Sequence, residues 1–296
     1  MSGQLLRSLL FVPGDSERKQ AKALGSGADA LILDLEDSVD ESQLPAARGR
    51  VHDFVSGTRT PSGPQHWVRV NSLSSGKMLE DLAAVIRAKP DGIVLPKVSS
   101  ARELAEVGHY LSALEVREGL AEGSTRLLVI ATETPAALLT LGEYNPATAG
   151  KRLAGLTWGM EDLSAALGAL GKKEDDGSLT PVLQLARSLC LLAAAAAGVQ
   201  AIDGVHADFR DGTGLTLDVG RARRDGFTGK MAIHPDQVPV INAAFSPTAA
   251  EIERARRIVA AFEAAPGAGV TSLDGQMLDR PHLVLARRVL ELSATR

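Results

Sequence analysis

Cysteine is almost missing from this chain: Cys190 is the only one in 296 residues, so no disulfide can form within it. A reducing compartment suits such a sequence. Cys190 stands in an Ala-rich apolar segment and reads as a buried packing residue. Aromatic residues are also scarce, at 3%, so Leu, Val, Ile and Ala must fill the core. Neither sign of charge dominates. The net charge is −4, and no basic stripe alternates with aromatics, which argues against a nucleic-acid partner. The most apolar stretch, residues 189–199, is too short to span a bilayer and reads as a buried helix. The N-terminus, Met1-Ser-Gly-Gln-Leu-Leu-Arg7, lacks the apolar core and cleavage site of a signal peptide. The expectation is a cytoplasmic protein with no membrane partner.

Several chemical signatures are missing as well. There is no Cys/His cluster for zinc, no Gly-x-Ser-x-Gly elbow and no Walker sequence. No Gly-x-Gly-x-x-Gly follows the first apolar run, which counts against a doubly wound nucleotide-binding sheet.

What the chain does contain is a regular alternation. Short apolar runs lie at residues 5–12, 28–35, 66–70, 92–95, 126–131, 153–159, 199–202 and 229–233. Between most of them lie helical stretches: 45–56, 78–88, 101–118, one from Pro135, one from Glu161 or Asp162, 180–197 and 217–225. A first helix follows Asp15 or Ser16, and a long amphipathic one covers 249–264. Runs buried on both faces and separated by helices predict parallel strands. Eight strand–helix units predict a (β/α)8 barrel, here over residues 1–265. The remainder, 266–296, holds a glycine-rich break, an extended piece at 273–278 and a helix at 282–292, and reads as a C-terminal lid.

Catalytic groups of such barrels sit at the C-terminal ends of the strands. Those ends carry Asp34, Glu36 and Asp37; Arg69 and Asn71; Lys97; Glu133; Glu161 and Asp162; Asp203; and His234. Each alone has an ordinary explanation as a cap, turn or surface group. Together they predict a mouth with excess carboxylate, which calls for protonation or a cation. Mg²⁺ fits, since it takes one or two protein carboxylates and fills its shell with water and substrate oxygens. Arg69 suits bidentate recognition of a substrate carboxylate. Lys97 either caps its strand or orients carboxylates. Asp203 stands before Gly204 and is read equally as a turn residue, and His234 before Pro235 as a structural one.

A set of ordered motifs then resembles the citrate lyase β-subunit-like branch of the HpcH/HpaI aldolase superfamily. They are Arg7-Ser-Leu-Leu-Phe-Val-Pro-Gly14, Ala30-Leu-Ile-Leu-Asp-Leu-Glu-Asp37, Val68-Arg-Val-Asn71 and Gly92-Ile-Val-Leu-Pro-Lys97. They continue with Glu133-Thr134, Gly159-Met-Glu-Asp-Leu163, Ala201-Ile-Asp-Gly-Val205, Gly229-Lys-Met-Ala-Ile-His-Pro235 and Gly275-Gln-Met-Leu-Asp-Arg-Pro-His282.

The resemblance implies a barrel enzyme that cleaves or forms a C–C bond in a 3-hydroxyacyl-CoA, with an acyl-CoA and a 2-oxo acid as the other partners. It implies Mg²⁺, with Mn²⁺ as a substitute, on the residues matching Glu133 and Asp162, and an acidic neighbour at Glu36. Arg69 would hold the carboxylate of the oxo acid. Gly159 and Met160 would face substrate through backbone N–H groups, and Lys97 would assist. Asp279 would act as acid or base in a neighbouring subunit's site, within a trimer or hexamer. An aldolase on free hydroxy-oxo acids, and a malyl-CoA thioesterase or malate-synthase-like activity, are the alternatives.

Overall fold

The structure, a computed structural model, describes residues 5–265, 267 and 269–294. Residues 1–4 of the expected leaderless N-terminus, and positions 266 and 268 of the expected break before the lid, lie outside the described residues. Eight parallel strands close into a barrel in sequence order: β1 Ser8–Pro13, β2 Ala30–Asp34, β3 Gln65–Arg69, β4 Gly92–Leu95, β5 Arg126–Ile130, β6 Leu153–Thr157, β7 Gln200–Asp203 and β8 Gly229–Ala232. β1 closes the ring, pairing Leu9 with Ala30 on one side and with Met231 on the other. All eight lie within the apolar runs read from the sequence or overrun them by a residue.

Around the barrel run α1 Glu17–Leu24, α2 Leu44–Thr58, α3 Met78–Val85, α4 Glu103–Arg117, α5 Pro135–Thr140, α6 Pro146–Ala149, α7 Met160–Leu167, α8 Pro181–Ala197, α9 Gly212–Asp225 and α10 Val238–Ala244. α11 Ala249–Glu263, the hairpin β9 Val270–Leu273 and β10 Gln276–Asp279, and α12 Arg280–Ala294 complete the chain. None of the described helices is long and apolar enough to cross a membrane.

Strand alternation sorts the apolar residues into two layers. Leu9, Ala30, Ile32, Trp67, Val94, Leu128, Ile202 and Met231 fill the barrel interior. Leu31, Val68, Ile93, Val129 and Ala201 point outward onto the helices. With so few aromatics, one large side chain closes the floor. Trp67, 1% exposed, occupies the space that a Cβ on Gly92 would take, 2.2 Å from the ring. The opposite, C-terminal rim stays open.

Four local expectations are corrected. α7 starts at Met160, with Gly159 as its N-cap, not at Glu161 or Asp162. α9 starts at Gly212 rather than 217, because the Asp211 side chain accepts the Gly214 N–H and caps it. The extended piece at 273–278 is a hairpin turning at Asp274 and Gly275, both at positive φ (51° and 78°), as an Asp-Gly two-residue turn requires. α8 is amphipathic rather than buried: Cys190 and Ala194 face the barrel, while Leu185 and Leu192 are 55% and 64% exposed.

Alternation also decides the fate of Asp203. Ile202 points inward, so Asp203 points outward, between the sheet and α8. There its carboxylate, 3% exposed, accepts from Lys230 Nζ (2.6 Å), Arg187 Nε (2.9 Å) and Trp158 Nε1 (2.7 Å). Burial alone pushes its pKa up, but the Lys230 and Arg187 charges outweigh this and hold it below the usual carboxylate range. Asp203 is thus a structural anchor and not a mouth residue. Lys230→Met leaves that carboxylate underneutralised and is expected to cost about 3–5 kcal/mol, read as a fall in the chemical-denaturation midpoint. A variant within about 0.5 kcal/mol of wild type would contradict the anchoring role.

Candidate active site

The rim is assembled from the top of β2 and β3. Their register sets Asp34 directly beside Arg69. Arg69 donates through Nε to Asp34 Oδ1 and through Nη2 to Oδ2, both at 2.7 Å. Asp34 also accepts the backbone N–H of Glu36 and Ser38, at 3.0 and 3.2 Å, which folds the Asp34–Ser38 turn over the strand end. Burial works against ionised Asp34, but the Arg69 fork prevails and its pKa is lowered. The Arg69 guanidinium lies 4.9 Å from the Phe11 ring centroid, a contact sequence reasoning missed. The fork of Arg69 is therefore engaged within the protein. What remains for a ligand is Nη1, which lies 2.9 Å from Glu36 Oε2 and 3.5 Å from Asp37 Oδ2.

Glu36 stands between two cations. Its Oε1 accepts from Lys97 Nζ, while its buried Oε2 makes no hydrogen bond of good geometry despite the nearby Arg69. Burial raises its pKa above the usual range, against the pull of Arg69 and Lys97. Lys97 adopts φ 53°, a left-handed conformation that interrupts the alternation after β4. Its Nζ also reaches Asp37 (3.1 Å) and Asp162 (3.6 Å), and its backbone N–H donates to Glu133 Oε2 at 2.5 Å. Desolvation opposes its charge, yet the Glu36 hydrogen bond and the carboxylates beside it raise its pKa. Lys97 thus orients carboxylates rather than merely capping its strand.

Glu133 is 3% exposed, and no Lys or Arg forms an ion pair with it among the described residues. Burial, with added repulsion from Asp162 and Glu36, pushes its pKa up to about 8. Gly159 lies against it: a Cβ there would come 2.6 Å from Glu133 Cγ, so no larger residue fits. The Gly159 N–H donates to Thr132 Oγ1 (3.1 Å), so the N–H groups left open at the start of α7 are those of the next residues, Met160 onward. Thr132 is a second partner that the sequence did not announce; position at a strand end was its only signal. Thr157 Oγ1, also on the rim, is buried without a hydrogen-bond partner.

The rim encloses one cavity of about 330 Å³, walled by Phe11, Ile130, Trp158, Met160 and Val205 and ringed by Asp34, Arg69, Glu133 and Asp162, with Glu36 and Lys97 beside it through their ion pairs to Arg69 and Asp162. Met160 also borders an adjoining 690 Å³ cavity between α8 and α9. Among the described residues no three His, Cys, Asp or Glu side chains converge into a closed metal cage. Two carboxylates facing an open cavity, one of them buried without an ion pair, instead suit Mg²⁺, which keeps several positions for water and substrate. Glu133 and Asp162 are the residues that fit it.

Three expected groups lie elsewhere. Asp203 points outward, as above. His234 accepts the Asp236 N–H (3.2 Å) and stacks on Phe209, ring centroids 4.8 Å apart, in a structural role. Asp279 lies on the β9–β10 hairpin, which packs on α11 and α12 around Leu278, and no residue of it lines the mouth. Glu161, by contrast, does line the cavity, where it pairs with Lys172.

Because folding raises the Glu133 pKa, the folded chain binds that proton more tightly than the unfolded one. Stability is then lost as pH rises from the ordinary range near 4.5 towards about 8. With metal chelated, Glu133→Gln is expected to flatten this fall. At pH 8 it should exceed wild type by roughly 2–4 kcal/mol, from a shift of several units at about 1.4 kcal/mol each. Parallel stability–pH curves for the two proteins would contradict the burial argument.

The family model described as HpcH/HpaI aldolase/citrate lyase matches residues 7–235. A (3S)-malyl-CoA thioesterase of Cereibacter sphaeroides (strain KD131) is 38% identical over 286 residues, covering 96% of this chain and 93% of its own. The citrate lyase subunit beta of Escherichia coli (strain K12) is 36% identical over 295 residues, covering 98% and 95%. The crystal structure of CitE from Mycobacterium tuberculosis, in complex with magnesium, acetoacetate and coenzyme A, superposes with a TM-score of 0.75 at 33% identity, covering 97% of each chain.

Proposed function

The chain belongs to the HpcH/HpaI aldolase/citrate lyase family, a family of lyases, and from that premise we propose a Mg²⁺-dependent carbon–carbon lyase that cleaves or forms a 3-hydroxyacyl-CoA. Malyl-, citramalyl- and citryl-CoA are the substrate class, with an acyl-CoA and a 2-oxo acid as products. The observation that carries this reading is Glu133: a carboxylate buried without an ion pair, opposite Asp162, in a cavity that opens on Arg69. A buried carboxylate of that kind is costly unless a cation joins it. Magnesium bound to structural relatives, beside acetoacetate and coenzyme A in one of them, supports the same assignment.

Bound at Glu133 and Asp162, Mg²⁺ would supply Lewis-acid stabilisation of the oxygen that becomes the 2-oxo group. The chain's own residues do the rest. Arg69 Nη1 and the first N–H groups of α7 hold the carboxylate of the oxo-acid half, where helix N-termini favour anions. Lys97 holds Glu36, Asp37 and Asp162 together at the rim. Glu36, with a raised pKa and an Oε2 held only by its ion pair with Arg69 Nη1, takes the substrate hydroxyl proton as the C2–C3 bond breaks. The acyl-CoA fragment leaves as an enolate, which needs a proton at carbon. Asp279 of a neighbouring copy supplies it, in a trimer or hexamer whose lids reach across. The placement of Asp279 on an exposed hairpin away from its own mouth supports delivery between copies.

The thioesterase relatives favour one extension of this reading, in which the same site hydrolyses the thioester. Incubating the protein and Mg²⁺ with malyl-, citramalyl- and citryl-CoA and weighing the products separates the outcomes. A lyase yields a 2-oxo acid and an acyl-CoA; a thioesterase yields the free hydroxy acid and CoA. Asp162→Ala is expected to remove Mg²⁺-dependent turnover without unfolding the chain, and retained activity with bound Mg²⁺ would refute the ligand assignment. Cleavage of free hydroxy-oxo acids instead of thioesters would favour the aldolase alternative. Co-expressed Asp162→Ala and Asp279→Ala chains should regain activity that neither homo-oligomer has, since mixed assemblies contain sites with both residues intact. No recovery would place the lid's role within one chain.

A further inference from the structure

The turn that leads from β10 into α12 holds a second ionisable group whose position is unusual. Asp279 precedes α12, and His282 lies in its first turn. His282 Nδ1 is 2.5 Å from Asp279 Oδ1 and 3.3 Å from the Asp279 backbone nitrogen. The longer contact, taken alone, is half of a capping box, in which a side chain in the first turn accepts the N–H of the capping residue. A ring nitrogen cannot accept that N–H and also donate to the carboxylate, because it carries either a lone pair or a proton. The lengths decide between them: 3.3 Å is a weak bond and 2.5 Å a strong, charge-assisted one. By length the contact to Oδ1 dominates, and a donating Nδ1 fits it.

We propose that His282 stores the proton for Asp279, so that the two residues form one acid–base unit on the lid. This rests on the reading of Asp279 as the acid that reaches a neighbouring site. While the lid is open, both side chains meet water, and the proposed unit keeps its proton on Nδ1, against the Asp279 carboxylate. The His282 hydrogen bond then keeps Asp279 below the usual carboxylate range, a poor acid. Closure over the mouth removes water, and a low-dielectric setting penalises separated charges. The proton moves from Nδ1 to Oδ1, giving a neutral carboxylic acid beside a neutral imidazole. The acid donates to the enolate carbon and becomes carboxylate again. On reopening, solvent returns a proton to Nδ1. One proton enters from water and one leaves to carbon, while the hydroxyl proton held by Glu36 returns to water.

The charged groups on the neighbouring elements are engaged elsewhere. On α11, Arg254 bonds Gln276 and Arg257 pairs with Asp274 across the hairpin. On α12, Arg288 pairs with Glu291. Among the described residues His282 is the single ion-pair partner of Asp279.

Glutamine at position 282 separates the two roles, since it keeps a capping box but cannot carry a proton. With malyl-CoA and Mg²⁺, His282→Gln and His282→Ala are both expected to lower kcat for cleavage about tenfold or more. KM should stay within about twofold of wild type, and the alkaline fall in kcat should move to lower pH in both variants. A His282→Gln enzyme with wild-type kcat and pH profile, beside an impaired His282→Ala, would reduce His282 to a cap and overturn the proposal. If Asp279→Asn keeps full activity, the reading of Asp279 itself fails, which is a different result. A readout independent of turnover is the ¹⁵N signal of the His282 ring in the wild-type protein. A proton on Nδ1 at neutral pH is expected; an unprotonated, accepting Nδ1 would overturn the unit.

Discussion

The rim depends on one ion pair, the fork that Arg69 makes with Asp34 across neighbouring strands. A guanidinium fork fixes geometry as well as charge. By holding Arg69 along β3, Asp34 decides which nitrogen is left for Glu36 and for a ligand. By accepting the Glu36 and Ser38 N–H groups, it also fixes the turn from which Glu36 reaches the cavity. From Glu36 the network passes to Lys97, and from Lys97 to Asp162 and Glu133. The rim is thus one connected set of charges, and carboxylates outnumber cations in it. A site built this way is incomplete alone. That imbalance is what the proposed divalent cation would relieve, and burial raises the Glu133 pKa in its absence.

The same pairing occurs once more on the barrel with the opposite result. Asp203 and Lys230 are also direct neighbours on adjacent strands. They face outward, where three donors close around the carboxylate and leave it nothing to bind. One step of strand alternation separates a site carboxylate from an anchor. It also shows why a buried ion pair is not by itself a functional signal.

In the proposed mechanism the C-terminal hairpin supplies what the mouth lacks, an acid that is not already tied into the rim. The hairpin and α12 share an apolar cluster with α11, through Ile258, Phe262, Leu278 and Ala286, rather than with the barrel interior. The proposed acid–base pair would pass between water and a dry cavity, which is the condition under which an ion pair and a neutral pair exchange stability.

The sequence alone determined a good deal. Strands buried on both faces are written as apolar runs, so the eight strands and their order were legible, and with them the barrel. The strand-end rule then pointed to Arg69, Glu133 and Asp162, which line one cavity, and to Glu36 and Lys97, which ion-pair with Arg69 and Asp162 beside it. The Asp274-Gly275 turn was equally readable and passed unread. Only the tertiary structure decided which face each strand end presents, because period two leaves the sign of the alternation open until the barrel closes. That choice removed Asp203 from the mouth, engaged the fork of Arg69 with Asp34, and took the Gly159 N–H for Thr132. It also left Glu133 buried without an ion pair, because whether a charge meets a counter-charge depends on which other strands surround it, and no local stretch of sequence encodes that.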